Sequence, residues 1–263
     1  MFSERITDWP VFMSVLMIFI AFCAASSFVY VLNDLADRGK DKLHPGRSGR
    51  AIISGVIGPK EAKLAAGILL AVALAVSLVQ GRSMLYVAGY IVLNLAYLYY
   101  FREIFILDVI LISSGFVIRA TAGAAGVGIR ISPWLIVCSF LLSLLVSLGK
   151  RYNELEILKD SAPAFRRPLA YYSKELLEGF IQTVSAVTIM AYSMYTFFAP
   201  NLPKNDAMML TIPFVIYGVF RYNYILKVGK LAGSPEEIIL KDRPMLANLL
   251  GWLGSAAAVL YLF

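Results

Sequence analysis

The sequence predicts an all-α polytopic membrane protein, with about eight transmembrane helices around a central cavity open to the cytoplasm and to lipid. Three observations predict the helices and their number. Of the 263 residues, 59% are hydrophobic and 16% charged, and mean hydropathy is +0.73; soluble domains run nearer a quarter charged. The apolar residues gather into runs that approach or exceed the roughly 20 residues a helix needs to cross a bilayer. The basic residues fall in alternate connections between those runs. A single transmembrane domain spanning residues 1–263 is the expected organisation.

The runs are Trp9–Leu32, Ala62–Val79, Met84–Tyr100, Ile104–Ala122, Ser132–Leu148, Leu176–Ala199, Met208–Phe220 with a polar continuation, and Met245–Phe263. The seventh is the weakest by hydropathy, because Arg221, Tyr222 and Asn223 follow it closely. The first has Arg5 ahead of it and small residues Ala24-Ala25-Ser26 within it, the parts of a secretory signal. It nevertheless runs on through Phe28–Val31 into an acidic stretch, and cleavage would sever the helix from what it positions. Cys23 and Cys138 both lie inside apolar runs and read as small membrane-helix residues, not as a disulfide or metal pair.

Nineteen of the 24 Lys and Arg residues fall on one set of alternate connections, four on the other (Arg5, Arg82, Arg130 and Lys204), and Arg119 lies within a span. By the positive-inside rule the first set is cytoplasmic and both chain ends lie outside. The net charge of +7 is thus first a topology signal. The charge asymmetry turns the motif-bearing connections toward the cytoplasm; a multi-pass protein of the inner (plasma) membrane, its chemistry facing the cytoplasm, is the expected localisation.

That chemistry centres on Asn33-Asp34-Leu35-Ala36-Asp37-Arg38-Gly39-Lys40-Asp41, where the first run meets water. Asp34, Asp37 and Asp41 are spaced i, i+3, i+7, which brings three carboxylates to one helix face. Like charges that close repel unless a cation sits between them. Hard oxygen ligands suit Mg²⁺, which takes one or two carboxylates, waters and substrate phosphates. The alternative is a solvated helix end whose acids pair with Arg38, Lys40 and Lys42. A basic loop follows, Lys42-Leu43-His44-Pro45-Gly46-Arg47-Ser48-Gly49-Arg50. Arg47 and Arg50 suit bidentate contacts to phosphate oxygens, and equally suit inner-leaflet head groups. His44, the one histidine, reads as part of a His-Pro turn and not as a general base.

Asn-Asp-x-x-Asp-x-x-x-Asp after an apolar helix, then His-Pro-x-Arg-x-x-Arg and Ser54-Gly55, resembles the UbiA superfamily of intramembrane prenyltransferases, in which this acidic motif holds Mg²⁺ and a diphosphate. Gly149-Lys150-Arg151-Tyr152-Asn153-Glu154-Leu155 and the segment from Leu231 to Arg243 resemble the branch that transfers 5-phosphoribosyl to decaprenyl phosphate. The resemblance runs from about Ala24 to the C-terminus. Members typically have nine helices where eight apolar runs are seen here, and Arg50-Ala51 stands where the superfamily usually has Arg-Pro.

The resemblance implies metal and catalytic roles for Asp34, Asp37 and Asp41, with Glu154 completing the catalytic set. It implies substrate binding by Asn33, Arg47, Arg50, Tyr97, Arg102, Asp108, Lys150, Arg151, Tyr152, Lys241 and Arg243. Lys150 and Glu154 are i, i+4 and would otherwise form a surface pair of a few tenths of a kcal/mol. Asp108 and Arg119 lie within the fourth run, about 16 Å apart on a helix and so beyond direct pairing; ionisable groups at that depth face a cavity or one another. Arg119 reads as bonding carbonyls of neighbouring helices, Asp108 as close to the site. Pro244 suits the first turn of the last helix, with Asp242 at its positive end.

The implied partners are phosphoribosyl diphosphate as donor and a polyprenyl phosphate as acceptor, with Mg²⁺ as cofactor. No nucleic acid is expected, and a homo-oligomer is compatible with the sequence. The rival within the fold moves a prenyl group from a prenyl diphosphate to an aromatic or other acceptor, but a second Asp-x-x-x-Asp is lacking. A non-enzymatic lipid transporter is the rival outside it; no strong internal repeat supports that reading.

Overall fold

The computed structural model describes residues 8–41, 49–81, 83–128, 132–200, 202–203, 205–228 and 241–262. His44 and Arg47, and the segment 231–240 within the last motif, lie outside the described residues. Eight helices are long and apolar enough to cross a membrane, from Trp9–Gly39 to Arg243–Tyr261, one for each predicted run. Among the described residues there is no strand. In a bilayer that is required, since a lone lipid-exposed strand could not satisfy its backbone whereas a helix does so internally.

The chain divides into two compact units. The first holds residues 8–130 and 160–171: α1 (Trp9–Asp41), the short α2 (Ala51–Ser54), α3 (Pro59–Val79), α4 (Ser83–Ala96) with a π-helical turn at Tyr97–Phe101, α5 (Leu107–Gly126) and the short α7 (Ala162–Phe165). Its core is built where small residues let helices approach: Ala21, Ala25, Ala66, Ala73 and Ala122 are buried together with Phe22, Phe28, Val87 and Tyr90. Hydrocarbon solvates Leu as well as a neighbouring helix does, so close backbone packing, not apolar burial, must hold such helices together.

The second unit holds residues 131–159 and 172–263, with α6 (Pro133–Leu158), α8 (Lys174–Phe198), α9 (Ile212–Val228) and α10 (Arg243–Leu262). Tyr192, Tyr195, Met208, Ala256 and Val259 form its core with Trp134 and Trp252 against them. Tyr192 Oη lies 2.6 Å from Thr211 Oγ1 and accepts from Trp252 Nε1 at 2.7 Å, so the polar ends of these buried rings are satisfied. The helix of the seventh run, α9, continues past its apolar run because its polar residues find partners: Asn223 Nδ2 donates to Ser185 Oγ at 2.9 Å, and Arg221 grips Asp242 with Nε at 3.1 Å and Nη2 at 2.8 Å. Asp242 also accepts from Met245 N at 2.8 Å, capping α10 as its sequence position suggests.

Many large apolar side chains are exposed, among them Trp9, Phe19, Leu64, Leu85, Val92 and Phe220. On a soluble protein they would amount to an interaction patch. Here they form the lipid-facing surface.

Candidate active site

The helix of α1 does not stop where its apolar run stops. It continues through Asp41, so all three acids of the motif are helical and share a face as their spacing requires. Each of the first two carboxylates is held by an arginine from another element. Arg50 Nη1 donates to Asp34 Oδ1 at 2.7 Å, and Arg102 Nη1 donates to Asp37 Oδ1 at 2.7 Å. Asp41 is buried, at 2% exposure. Among the described residues, Asp34 and Asp37 are met by Arg50 and Arg102, 16 and 65 residues distant in sequence. Asn33 is half-buried beside them.

Arg102 is brought to Asp37 by a local irregularity. Residues five apart on an α-helix diverge by about 140°, given 3.6 residues per turn. The wider π-helical turn at Tyr97–Phe101 instead closes with Arg102 N donating to Tyr97 O at 2.9 Å, which stacks position 102 on position 97. Tyr97 is buried, and its hydroxyl accepts from Arg166 Nη1 at 2.8 Å. Glu103 lies 3.7 Å from Arg102 Nε and accepts from Arg167 N at 3.3 Å. The turn that follows places Ile106 at φ 65°, strained for a β-branched residue. It leads directly into α5, whose first turn buries Asp108 completely, near the positive end of that helix.

Deeper in α5, Arg119 stacks over the ring of Phe116 at 4.1 Å and lies 5.8 Å from the ring centre of Tyr90. Among the described residues it meets aromatic faces where carbonyl acceptors were expected, a cation–π arrangement that costs the guanidinium less in a membrane than bare hydrocarbon.

The second motif lies on the last turns of α6. Arg151 is 1% exposed and donates through Nη1 to Glu154, itself 4% exposed. The Glu154 carboxylate thus pairs at i, i−3 with Arg151. Lys150 is half-buried. Gly149 is set by a close approach: a Cβ there would collide with the hydroxyl of Tyr222 and sit 3.0 Å from Leu226 on α9. Tyr152 Oη donates to Glu178 Oε1 at 3.1 Å, Lys227 Nζ donates to Glu178 Oε2 at 2.9 Å, and the Lys174 ammonium lies 5.5 Å from the Tyr152 ring centre. Lys174 also pairs with Glu156. Tyr152, Glu178, Gln182, Asn223 and Lys227 line a cavity of about 150 Å³. A larger apolar cavity of about 260 Å³ in this unit is lined by Leu142, Leu145, Tyr192, Phe214 and Trp252 among others. Lys241 and Arg243, at the start of α10, are exposed.

Among the described residues no three His, Cys, Asp or Glu side chains form a ready-made metal cage. Mg²⁺ does not need one. It binds through one or two carboxylates and completes its shell with water and substrate phosphates. Asp34 and Asp37, one turn apart on one face with their charge already balanced by Arg50 and Arg102, fit that demand. Glu103, Arg166, Glu178 and Lys227 are the charged residues of these clusters that the sequence reading left out of its site. Apart from the contact of Glu103 with its neighbour Arg102, the partners named above lie 26 to 69 residues away, beyond any local pattern.

Eight membrane spans, with arginine-balanced aspartates on the extended end of the first helix, define a multi-span membrane protein with a charged site at a helix end. The family model described as the UbiA prenyltransferase family matches residues 3–232. The chain belongs to that family. It is 34% identical to the decaprenyl-phosphate phosphoribosyltransferase of Mycolicibacterium smegmatis over 92% of this chain and 79% of that one. It is 29% identical to the protein of the same name from Corynebacterium glutamicum over 99% of this chain and 80% of that one. Among solved structures, a UbiA homologue from Archaeoglobus fulgidus bound to GPP and Mg²⁺ superposes with a TM-score of 0.73 at 20% identity, covering 94% of this chain and 87% of that one. That likeness shows the fold. The protein is a multi-span membrane enzyme of the UbiA transferase type.

Proposed function

We propose that this protein transfers 5-phosphoribosyl from phosphoribosyl diphosphate to a polyprenyl phosphate, with Mg²⁺, at the cytoplasmic face of the inner membrane. The structural observation that carries the proposal is the pair of carboxylates, Asp34 and Asp37, each balanced by an arginine that a diphosphate could recruit. Relatives named for this activity, aligned over four-fifths of their length, supply the substrate class.

Asp34, Asp37 and Asp41 would hold the ion, which when bound supplies positive charge against the diphosphate. Arg50 and Arg102 are placed to turn from carboxylate to diphosphate oxygens, contacts of the charge-assisted, bidentate kind guanidinium favours. The acceptor needs no protein base. A phosphate monoester is already largely dianionic near neutral pH, its second pKa being about 6. Its oxygen forms the new bond to ribose C1 as the bond from C1 to the diphosphate breaks, and the electron pair leaves with the diphosphate. The work left for the protein is positioning and charge stabilisation. Lys150, Tyr152, Lys241 and Arg243 are proposed as further substrate contacts, and the Arg151–Glu154 pair as what fixes the end of α6.

The test is direct. Membranes containing the protein should move label from phosphoribosyl diphosphate into a lipid-extractable product when polyprenyl phosphate and Mg²⁺ are present. Release of diphosphate only from a prenyl diphosphate and an aromatic acceptor would overturn the proposal in favour of prenyl transfer.

A further inference from the structure

The apolar cavity of about 260 Å³ in the second unit is shaped as a slot. Its wall runs from Cys138 to Val146 on α6, from Phe214 to Tyr222 on α9 and from Met245 to Trp252 on α10. At 1.5 Å of rise per residue, each of these stripes is about 10–12 Å long. The polar groups on the wall are turned to partners in the protein. Thr188 Oγ1 donates to Val184 O at 2.7 Å, Asn248 Nδ2 to Phe214 O at 3.0 Å, Trp252 Nε1 to Tyr192 Oη at 2.7 Å and Tyr222 Oη to Val146 O at 3.5 Å. A buried water needs several polar partners, and an apolar cavity that lacks them stays dry. Left unfilled, such a cavity costs stability in proportion to its volume. Hydrocarbon therefore suits the slot and water does not. Leu142 and Leu249 line it and are nevertheless 53% and 38% exposed, which leaves that wall open to the lipid-facing surface.

Resting on the phosphoribosyl reading above, we propose that this slot takes the first isoprene units of the polyprenyl phosphate acceptor, with the phosphate at the end that carries the second motif. The volume fits one chain. A dry apolar cavity of about 150 Å³ holds benzene; on that scale about 260 Å³ holds on the order of ten carbons, or two isoprene units. The two ends of the slot differ in chemistry. Cys138, Phe214 and Trp252 close the far end. At the near end, Val146 lies one turn before Lys150 on α6, and Met245 lies two residues after the exposed Arg243 on α10. Gly149, the first residue of the second motif, packs against that same end, where Tyr222 and Leu226 leave no room for a Cβ. Lys150 and Arg243 thus stand no more than about 6 Å of helix rise beyond the slot. A polyprenyl phosphate has a single chain and bears its phosphate on the first carbon, so hydrocarbon in the slot sets the anion at these cations. A glycerophospholipid has two chains, and its glycerol holds the phosphate back from both.

The experiment uses the full-length protein in nanodiscs and a short prenyl phosphate whose second isoprene unit carries a diazirine. After irradiation, the attachment site is read by mass spectrometry of the digested protein. Label should fall on peptides containing residues 138–146, 214–222 or 245–252. Excess polyprenyl phosphate should abolish it, and the same excess of phosphatidic acid, a phosphate monoester with two acyl chains, should not. Cys138→Phe places a ring in the far end of the slot, and overpacking of that kind should cut the labelling about tenfold or more. Leu85→Phe, on the exposed surface of the other unit, should not change it. Label confined to α1–α5, or labelling of the Cys138→Phe protein equal to that of the parent, would overturn the assignment. Equal competition by phosphatidic acid would also overturn it, in favour of a site for a bilayer lipid. The phosphoribosyl reading fails separately: a parent protein labelled in the slot that transfers nothing from phosphoribosyl diphosphate would sink that reading and leave the slot as a prenyl phosphate site.

Discussion

The Arg151–Glu154 pair offers the sharpest energetic test. Both side chains are nearly removed from solvent, at 1% and 5% exposure, on the last turns of a membrane helix. Taking two charges out of water costs several kcal/mol per ion, and only their mutual attraction and further hydrogen bonds offset this. Removing one partner leaves the other charge buried without this counter-charge. Arg151→Met or Glu154→Leu alone should therefore destabilise by about 3–5 kcal/mol. The double variant Arg151→Met/Glu154→Leu should recover most of that, since an apolar pair of similar volume replaces a buried ion pair at little net cost. An exposed pair would contribute under about 1 kcal/mol and show no such recovery. The assay is thermal or denaturant unfolding in a fixed detergent, read as a double-mutant cycle. Single variants that lose less than about 1 kcal/mol, or a double variant as unstable as the sum of the singles, would refute this account. In the recovered double variant, the KM for phosphoribosyl diphosphate should stay within a few-fold of the parent value, because Arg151 is assigned to the fold and not to the donor.

Asp34→Asn, Asp37→Asn and Asp41→Asn keep size and polarity and should each abolish transfer or shift its Mg²⁺ requirement strongly; full activity with ordinary Mg²⁺ dependence in all three would remove the metal assignment. In a background free of Cys23 and Cys138, a cysteine at Ser161 should react with an impermeant thiol reagent only from the cytoplasmic side and one at Asn205 only from outside. The Arg221 guanidinium and, to a lesser degree, the Met245 N–H hold the Asp242 carboxyl below its ordinary range. Its stabilising effect is therefore present above the usual aspartate pKa and lost as pH falls through the lowered one; Asp242→Asn should flatten stability on the acid side only. Gly149→Ala should destabilise by about 1–3 kcal/mol by overpacking, and Tyr222→Phe should rescue part of that, because the hydroxyl is what the new methyl meets.

The eight spans were legible because burial in lipid writes itself into composition. Even the weak seventh run was correctly placed, although its extension to Val228 depended on Asn223 and Arg221 finding Ser185 and Asp242 across helices, which no local pattern encodes. The acidic face of α1 was legible from spacing alone. Its counter-ions were not. Arg50 and Arg102 were expected to bind substrate, and the carboxylates were expected to pair, if at all, with their own helical neighbours. The π-helical turn that presents Arg102 leaves no signal in Tyr97-Leu98-Tyr99-Tyr100-Phe101, since the same aromatic run would sit equally well in an α-helix.

Arg166 was hidden for a different reason. The positive-inside rule accounts for every basic residue on the cytoplasmic connections at once, and an explanation that covers nineteen cations cannot single out one of them. Geometry separates them by their partners. Some pair with exposed acids, as Lys174 does with Glu156; such contacts contribute little and suit a topological role. Others are half-buried and bonded across elements, as Arg102 is to Asp37 and Arg166 to Tyr97. Ordering a long side chain costs up to about 2 kcal/mol of rotamer entropy. Holding Arg102 on Asp37 and Arg166 on Tyr97 is an expense that topology does not require. Under the proposed phosphoribosyl transfer, a polyanionic donor would meet Arg102 already in place.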